Sequence, residues 1–319
     1  MRAPDFWQSP RGLLSGMLSP LGAIYGSITA RRATRAPDHT PGIPVICIGN
    51  AVMGGAGKTP VARSLAAEPR LAARGPHILT RGYGGAETGP LRVDPAYHDA
   101  AMVGDEALLL ANAAPTWVSR NRVAGAKAIE AAGAGLILMD DGYQNSSLAK
   151  SLNLLVIDSA YMFGNGRAFP AGPLREPPES ALARADAVIA LGDDWAAQHF
   201  AGKPVFRARI VAENGTDFRG RAVHAFSGIG RPEKFFRTLS AAGAGIRKRV
   251  AFADHHPFTE AEIRRLLEDA ERDSAIPVTT EKDHVRLPAS LRDRVRVLTV
   301  SLAWDDNGAL LDMIENAHV

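Results

Sequence analysis

Gly54-Gly55-Ala56-Gly57-Lys58-Thr59 is a run able to hold a chain of phosphates. Glycines let a backbone turn sharply and bring its N–H groups up to an anion. A lysine then neutralises charge, and a threonine hydroxyl can ligate magnesium. The run follows the apolar Val45-Ile46-Cys47-Ile48, and a helix is expected to open at Lys58-Thr59. Strand, glycine-rich turn and helix come in the order of a phosphate-binding loop. Pro60 is tolerated in a first helical turn, where its missing N–H has no partner. The strict spacing asks for a glycine where Val52 stands, so the loop departs from the usual consensus.

Acids elsewhere suit the same chemistry. Asp140 and Asp141 end the apolar run Leu136-Ile137-Leu138-Met139. Magnesium takes oxygen ligands, and the carboxyl ends of parallel strands line the crevice where ligands bind. Neighbouring strand side chains point to opposite faces, so both acids need not meet one ion. A helix cap or turn pair would use the same residues. Asp105, in Gly104-Asp105-Glu106, opens a helix and either caps it or takes a proton from a hydroxyl. Asp254-His255-His256 joins carboxylate to imidazole, which suits proton movement near neutrality. Adjacent histidines without a nearby cysteine argue against zinc. Thr259 with Glu262 reads as a capping box. Arg81 and Arg175-Glu176 either contact phosphate or metal or form surface ion pairs.

The elements that must position these groups alternate. A helix is expected from about Lys58 to Ala73, and His77-Ile78-Leu79-Thr80 reads as a strand. A helix near Gly104, a short strand at Trp117-Val118 and a helix over Val123 to Ala132 come next. Leu136 to Met139, Leu154 to Ile157 and Ala187 to Ala190 are further strands. Continuous apolar strands separated by helices predict a largely parallel sheet covered on both faces. Phe163 to Pro178 is irregular and rich in Gly and Pro, as segments over a site often are. A second unit is expected from Phe206. Its strands lie near Val223–Ala225, Arg249–Phe252, Pro277–Thr279 and Val295–Thr299, with helices near Glu233–Ser240 and Thr259–Glu271. The organisation read from the chain is 1–36, 37–205 and 206–319.

Length and composition bound the rest. The chain has 319 residues, 46% hydrophobic and 22% charged, enough for two modest domains with real cores. A net charge of +3 is too small to argue for nucleic acid. The single cysteine, Cys47, excludes an internal disulfide and suits a reducing compartment. Near the N-terminus, Leu13, Leu14, Met17, Leu18, Leu21, Ile24, Tyr25 and Ile28 recur at helical spacing, followed by Arg31, Arg32 and Arg35. The span, interrupted by Gly16, Pro20 and Gly22, reads as too short to cross a bilayer comfortably. It lies either in a membrane interface with its arginines on anionic lipid, or against the protein's own core.

Taken in order, these clusters resemble the tetraacyldisaccharide 4'-kinases of lipid A biosynthesis, over most of the chain. Gly49-Asn50 with Gly54 to Pro60 is similar to that family's unusual phosphate loop. Arg81-Gly82-Tyr83-Gly84, Gly104-Asp105-Glu106, Asp140-Asp141-Gly142-Tyr143-Gln144 and Gly172-Pro173-Leu174-Arg175-Glu176-Pro177 are similar to its other elements, as are Asp254-His255-His256 and Thr280-Glu281-Lys282-Asp283. Tyr143 stands where phenylalanine is more familiar.

The resemblance implies a phosphate-loop α/β domain and a smaller C-terminal α/β domain joined by a two-stranded linker, with the site between them. It implies transfer of the ATP γ-phosphate to the 4'-hydroxyl of a tetraacylated disaccharide 1-phosphate, at the cytoplasmic face of the bacterial inner membrane. The N-terminal helix would then enter the bilayer surface. The implied roles are nucleotide binding for Gly54, Gly55, Ala56, Gly57, Lys58, Thr59 and Arg175. Magnesium would fall to Thr59, Asp140 and Asp141 with Glu176 as helper. Asp105 would take the hydroxyl proton, paired with a histidine placed at His255 with His256 left open, and Lys58 would act in catalysis beside them. An acylated disaccharide and an anionic bilayer are the expected partners, with no nucleic acid and no obligate protein partner. A GTPase or assembly ATPase is the rival enzyme, although Thr280-Glu281-Lys282-Asp283 only partly echoes a guanine-recognition sequence. A membrane-associated module that binds nucleotide without catalysis is the other rival.

Overall fold

Two sheets carry the chain. A computed structural model describes residues 4–7, 12–193, 200 and 202–319. Residues 1–3 and 8–11 of the expected N-terminal segment lie outside that description. The strands of the larger sheet are β1 (Val45–Gly49), β2 (Pro76–Thr80), β3 (Leu91–Arg92), β4 (Thr116–Val118), β5 (Leu136–Asp140), β6 (Leu152–Asp158), β7 (Ala187–Leu191) and β8 (Val205–Ala212). The smaller sheet holds β9 (Ala222–Ser227), β10 (Gly245–Ala251), β11 (Ile276–Thr280) and β12 (Arg296–Leu298). The last strand, β13 (Val300–Trp304), returns to the larger sheet.

The larger sheet runs β13-β8-β7-β6-β1-β5-β2-β4-β3. Its interior ladders are parallel, and only the edge pairs β13·β8 and β3·β4 are antiparallel. Every residue of β1, β5 and β7 is buried, as strands covered on both faces require. The chain crosses from β5 to β6 over β1, so the strand order switches direction at β1. In such sheets the crevice beyond the carboxyl ends at the switch is where ligands bind.

Helices cover the faces. They are α1 (Leu13–Ala33), α2 (Lys58–Ala66), α3 (Pro69–Ala72), α4 (Ala100–Val103), α5 (Asp105–Ala111), α6 (Arg122–Ala131) and α7 (Pro178–Arg184). The smaller sheet carries α8 (Pro232–Ala241), α9 (Glu260–Arg272), α10 (Glu281–His284) and α11 (Ala289–Arg292). α12 (Gly308–Glu315) ends the chain and buries Leu310, Leu311 and Ile314 in the core of the larger sheet beside Ile46 and Ile48. The helix expected from Lys58 to Ala73 is two helices. Glu68, held extended at ψ 120° ahead of Pro69, breaks it, because a residue before proline disfavours the helical region. The strand expected at Val295–Thr299 ends at Leu298, and the next one, β13, pairs antiparallel with β8 in the other sheet.

α1 is 21 residues long, and length and composition suffice for it to cross a bilayer. The expectation of too short a span fails because the helix runs unbroken through Gly16, Pro20 and Gly22. One side is already occupied. Ser15, Gly22 and Gly26 are buried against the irregular stretch, where a Cβ on Gly22 would lie 2.5 Å from the Ala168 carbonyl oxygen. Ser15 Oγ donates to the Ala171 carbonyl at 2.7 Å, and Arg167 donates to the Ser15 carbonyl at 2.8 Å. The opposite side exposes Leu13, Leu14, Met17, Leu21, Ile24 and Ile28.

Candidate active site

The glycine-rich loop leaves β1 at Gly49 and delivers Lys58 to the first turn of α2. Gly57 adopts φ +91°, a left-handed conformation that glycine takes without cost, and a Cβ there would lie 2.3 Å from Leu191 Cδ1. Buried Asn50 organises the loop. Its side-chain amide donates to the Val52 carbonyl at 2.9 Å, and its Oδ1 accepts from Lys58 Nζ at 3.1 Å. Val52, at the position of the missing glycine, is buried and bridges to Leu174. The Met53 N–H donates to the Pro173 carbonyl and the Arg175 N–H to the Ala51 carbonyl, both at 2.7 Å. The loop therefore leans on the Gly172–Arg175 run, an arrangement in which a side chain at position 52 helps packing.

The end of β5 faces this loop. Asp141, at φ +54°, accepts from Arg175 at 2.9 Å and lies 3.5 Å from Lys58 Nζ. Burial alone would raise its pKa, but Lys58 and Arg175 hold it well below the usual carboxylate range. Asp140 is its opposite. It is 1% exposed, and neither carboxylate oxygen has a hydrogen-bond partner among the described residues. Burial, reinforced by Glu106, pushes its pKa up to about 7. An orphaned buried carboxylate calls for a cation or a proton. Among the described residues no group of three or more His, Cys, Asp or Glu side chains could hold a metal by itself. Magnesium does not need one, since it binds through one or two carboxylates, waters and substrate phosphates. The orphaned Asp140 oxygens, with Thr59 and Asp141 on the cavity wall, are donors of that kind.

Glu176 sits differently from the role first read for it. It is fully buried and takes two 2.7 Å hydrogen bonds from Arg184 and one of 3.0 Å from Gln144. Gln144 also donates to the Asn50 carbonyl at 2.9 Å and accepts from Arg175 at 3.2 Å. Glu176 thus braces Gln144, which in turn steadies the phosphate loop and Arg175.

The other half of the site comes from α5 and the smaller sheet. Gly104, at φ +87°, abuts the Tyr83 carbonyl so closely that a Cβ would lie 2.4 Å away. That contact fixes the entry to α5, where Asp105 is 3% exposed. The Glu106 N–H donates to Asp105 Oδ1 at 2.8 Å. Asp105 Oδ2 lies 3.0 Å from His255 Nδ1 and 3.4 Å from Arg286 Nε. His255 reaches across from the second unit, at φ +57°, and Tyr83 packs against its ring with centroids 5.3 Å apart. His256 turns away. Its Nε2 meets Glu262 at 3.0 Å and its ring stacks on Phe252. Of the two histidines, only His255 meets Asp105.

One cavity of about 1490 Å³ joins these halves. Its wall includes Gly54 to Thr59, Arg81, Asp141 and Arg175 on one side and His255 and Lys282 on the other. Tyr25, Thr29 and Arg32 of α1 lie at its edge. Asp105 is behind His255 rather than on the wall. Sequence reasoning missed Asp158, which ends β6 as Asp140 ends β5 and holds Arg231 and Lys234 of the second unit. The strand-end rule that singled out Asp140 would have found it.

A family model described as Tetraacyldisaccharide-1-P 4'-kinase matches residues 14–318. The chain belongs to that family. A tetraacyldisaccharide 4'-kinase of Paramagnetospirillum magneticum is 54% identical over 100% of this chain and 99% of its own length. A kinase of the same description from Rhodospirillum centenum is 53% identical over 97% and 95%. Among solved structures, the Aquifex aeolicus tetraacyldisaccharide 4'-kinase, an "apo" form in complex with ATP, superposes with a TM-score of 0.75. It is 26% identical and covers 96% of this chain and 100% of its own. The parallel-dominated α/β fold is thus shared with a member of the kinase family that has been solved with ATP.

Proposed function

We infer that this protein transfers the γ-phosphate of ATP to the 4'-hydroxyl of a tetraacyldisaccharide 1-phosphate, giving the 4'-phosphate of lipid IVA, and that the cavity between the two sheets is its active site. Family membership supports the reaction. The single observation that carries the site is the meeting of a glycine-rich loop and an Asp105–His255 pair across one cavity.

In this reading the chain folds as a phosphate-loop α/β domain over 37–205 and a smaller α/β domain with its linker over 206–319, from which β8, β13 and α12 join the larger sheet and its core. Backbone N–H groups of Gly54, Gly55, Ala56 and Gly57, with Lys58 and Arg175, hold the ATP phosphates and spread their charge. Thr59, Asp140 and Asp141 would hold magnesium, which when bound neutralises charge on the phosphoryl oxygens. Glu176 acts through Gln144 rather than on the metal. Asp105 and His255 form the base, with the imidazole facing the cavity and the carboxylate orienting it from behind. The acceptor hydroxyl loses its proton to this pair as its oxygen bonds to the γ-phosphorus and ADP leaves. For a loose phosphoryl transition state, alignment and charge neutralisation supply most of the rate.

Residues 1–36 bring the enzyme to its lipid. The exposed apolar side of α1 would enter the headgroup boundary, and Arg31, Arg32 and Arg35 would meet anionic lipid on the cytoplasmic face of the inner membrane.

The test is transfer of labelled γ-phosphate from magnesium-ATP to tetraacyldisaccharide 1-phosphate in detergent micelles. The parent is expected to form the phosphorylated product, while Lys58→Ala and Asp105→Ala lose on the order of 10²-fold or more in kcat. A folded, ATP-binding parent that transfers nothing would leave a binding module in place of the enzyme.

A further inference from the structure

The Thr280-Glu281-Lys282-Asp283 motif lies against the Asp105–His255 pair. Lys282 Nζ is 3.0 Å from Glu106 Oε1, on the helix that carries Asp105, and 3.4 Å from His255 Nε2. We propose that Lys282 is a positioning residue that sets the tautomer of His255, with the proton on Nδ1 and the lone pair on the cavity-side Nε2.

An ammonium group has three donors and no acceptor, so a hydrogen bond from Lys282 requires a lone pair on Nε2. A neutral imidazole then carries its proton on Nδ1, where it donates to Asp105 Oδ2 at 3.0 Å. The carboxylate is ready to accept, because Arg286 Nε lies 3.4 Å from the same oxygen and the Glu106 N–H donates to the other. Burial alone would raise the Asp105 pKa, but His255, Lys282 and Arg286 together take it below the usual carboxylate value. Burial likewise works against the Lys282 charge, and the Glu106 and Asp105 carboxylates reverse the effect, so the ammonium persists at neutral pH.

A competing group shows why a cation is needed there. Asp254 Oδ1 is buried without a hydrogen-bond partner among the described residues and lies 3.9 Å from the same Nε2. Without Lys282, that carboxylate would favour a proton on Nε2; with it, the lone pair is kept, and the acceptor hydroxyl takes the place of the ammonium on Nε2 while Lys282 stays on Glu106. Tyr83 packs on the imidazole by ring contact, tilted at 56°, and leaves the choice to the charged groups.

Lys282 is itself held by the fold. Asp283, fully buried, accepts from Ser227 Oγ at 2.8 Å and the Gly228 N–H at 3.0 Å, and so fixes α10 to the end of β9. Glu281 accepts from Arg63 of α2 at 3.1 Å. The motif therefore ties the second unit to the first, and the imidazole is held at both ring nitrogens only when the two are together.

This proposal rests on the kinase reading of the cavity, but its decisive measurement does not require turnover. Long-range ¹H–¹⁵N spectra of the full-length protein labelled with ¹⁵N-histidine, assigned with His255→Asn, report which ring nitrogen carries the proton. In the parent at pH 7.5, Nδ1 is expected to be protonated and Nε2 bare. In Lys282→Met the pattern should shift toward protonated Nε2, and Lys282→Arg, which keeps a charged donor, should restore it. Lys282→Met should also lose roughly tenfold to a hundredfold in kcat with little change in KM for ATP, and Lys282→Arg should recover part of it. A parent with its proton on Nε2, or a Lys282→Met variant with the parental tautomer, would overturn the proposal. A parent that lacks transfer activity would sink the kinase reading instead, with the tautomer still open to measurement.

Discussion

Asp140 and Asp141 are neighbours in sequence and opposites in chemistry, and the difference has a measurable consequence. Asp141 is drawn out by Lys58 and Arg175, whereas Asp140 has its pKa pushed up to about 7 in the fold, against an ordinary value near 4. Between those values the folded state holds a proton that the unfolded chain releases. Stability from this group is therefore complete below about pH 4 and is lost as pH rises through about 7. Ligand-free Asp140→Asn should lack that slope, so the stability change between pH 5.5 and pH 8 should differ from the parent's by roughly 1–2 kcal/mol in denaturant titrations. Identical slopes would mean that Asp140 is ionised throughout. Residue types and strand ends drew Lys58 and Asp140 out of the sequence as candidates, whereas Asp105 read equally as a helix cap and took the base role only from the family resemblance. Residue types did not separate His255 from His256, because one left-handed φ decides which ring crosses to Asp105. The burial of Glu176 was equally hidden, since its partner Arg184 lies a helix away on α7.

Among the elements, α1 is the one whose two sides do different work. Small residues allow close packing on the irregular stretch, and the large apolar side chains are left outward. A double Met17→Asp and Leu21→Asp change should alter folding stability little, because both side chains are exposed, at 79% and 57%. Burying such side chains is worth about 1.5–3 kcal/mol each, so binding to anionic vesicles should weaken at least tenfold in co-sedimentation. Vesicle binding equal to the parent's would move the lipid surface elsewhere on the molecule. Elements with continuous apolar runs, β1, β5, β6 and β7, were plain from the sequence because strands covered on both faces admit little else. The edge pair β8 and β13 was not, as β8 alternates buried with exposed residues and β13 is half-buried throughout. α12 has the apolar spacing of a core helix, but nothing local says that it packs on the first sheet rather than the second.

At the scale of the whole molecule, the chain builds two sheets, and the proposed chemistry lies where their units face each other. Contacts between charged groups cross the gap at several points: Arg63 to Glu281, Lys282 to Glu106, His255 to Asp105, and Arg231 with Lys234 to Asp158. Each joins a group on the larger sheet's unit to one on the smaller, so the base half of the site is built only when the units meet. Such closure would also exclude water and limit wasteful hydrolysis of ATP. In the proposed mechanism labour is divided, with nucleotide held by the first unit and the acceptor's proton taken by a pair completed by the second. His255→Ala tests it most directly, through calorimetric affinity for magnesium-ATP and single-turnover transfer to the tetraacyldisaccharide acceptor on the same preparation. The account predicts nucleotide affinity within about twofold of the parent and transfer slower by about 10²–10⁴-fold. Transfer at the parental rate, or loss of nucleotide affinity in step with transfer, would contradict it.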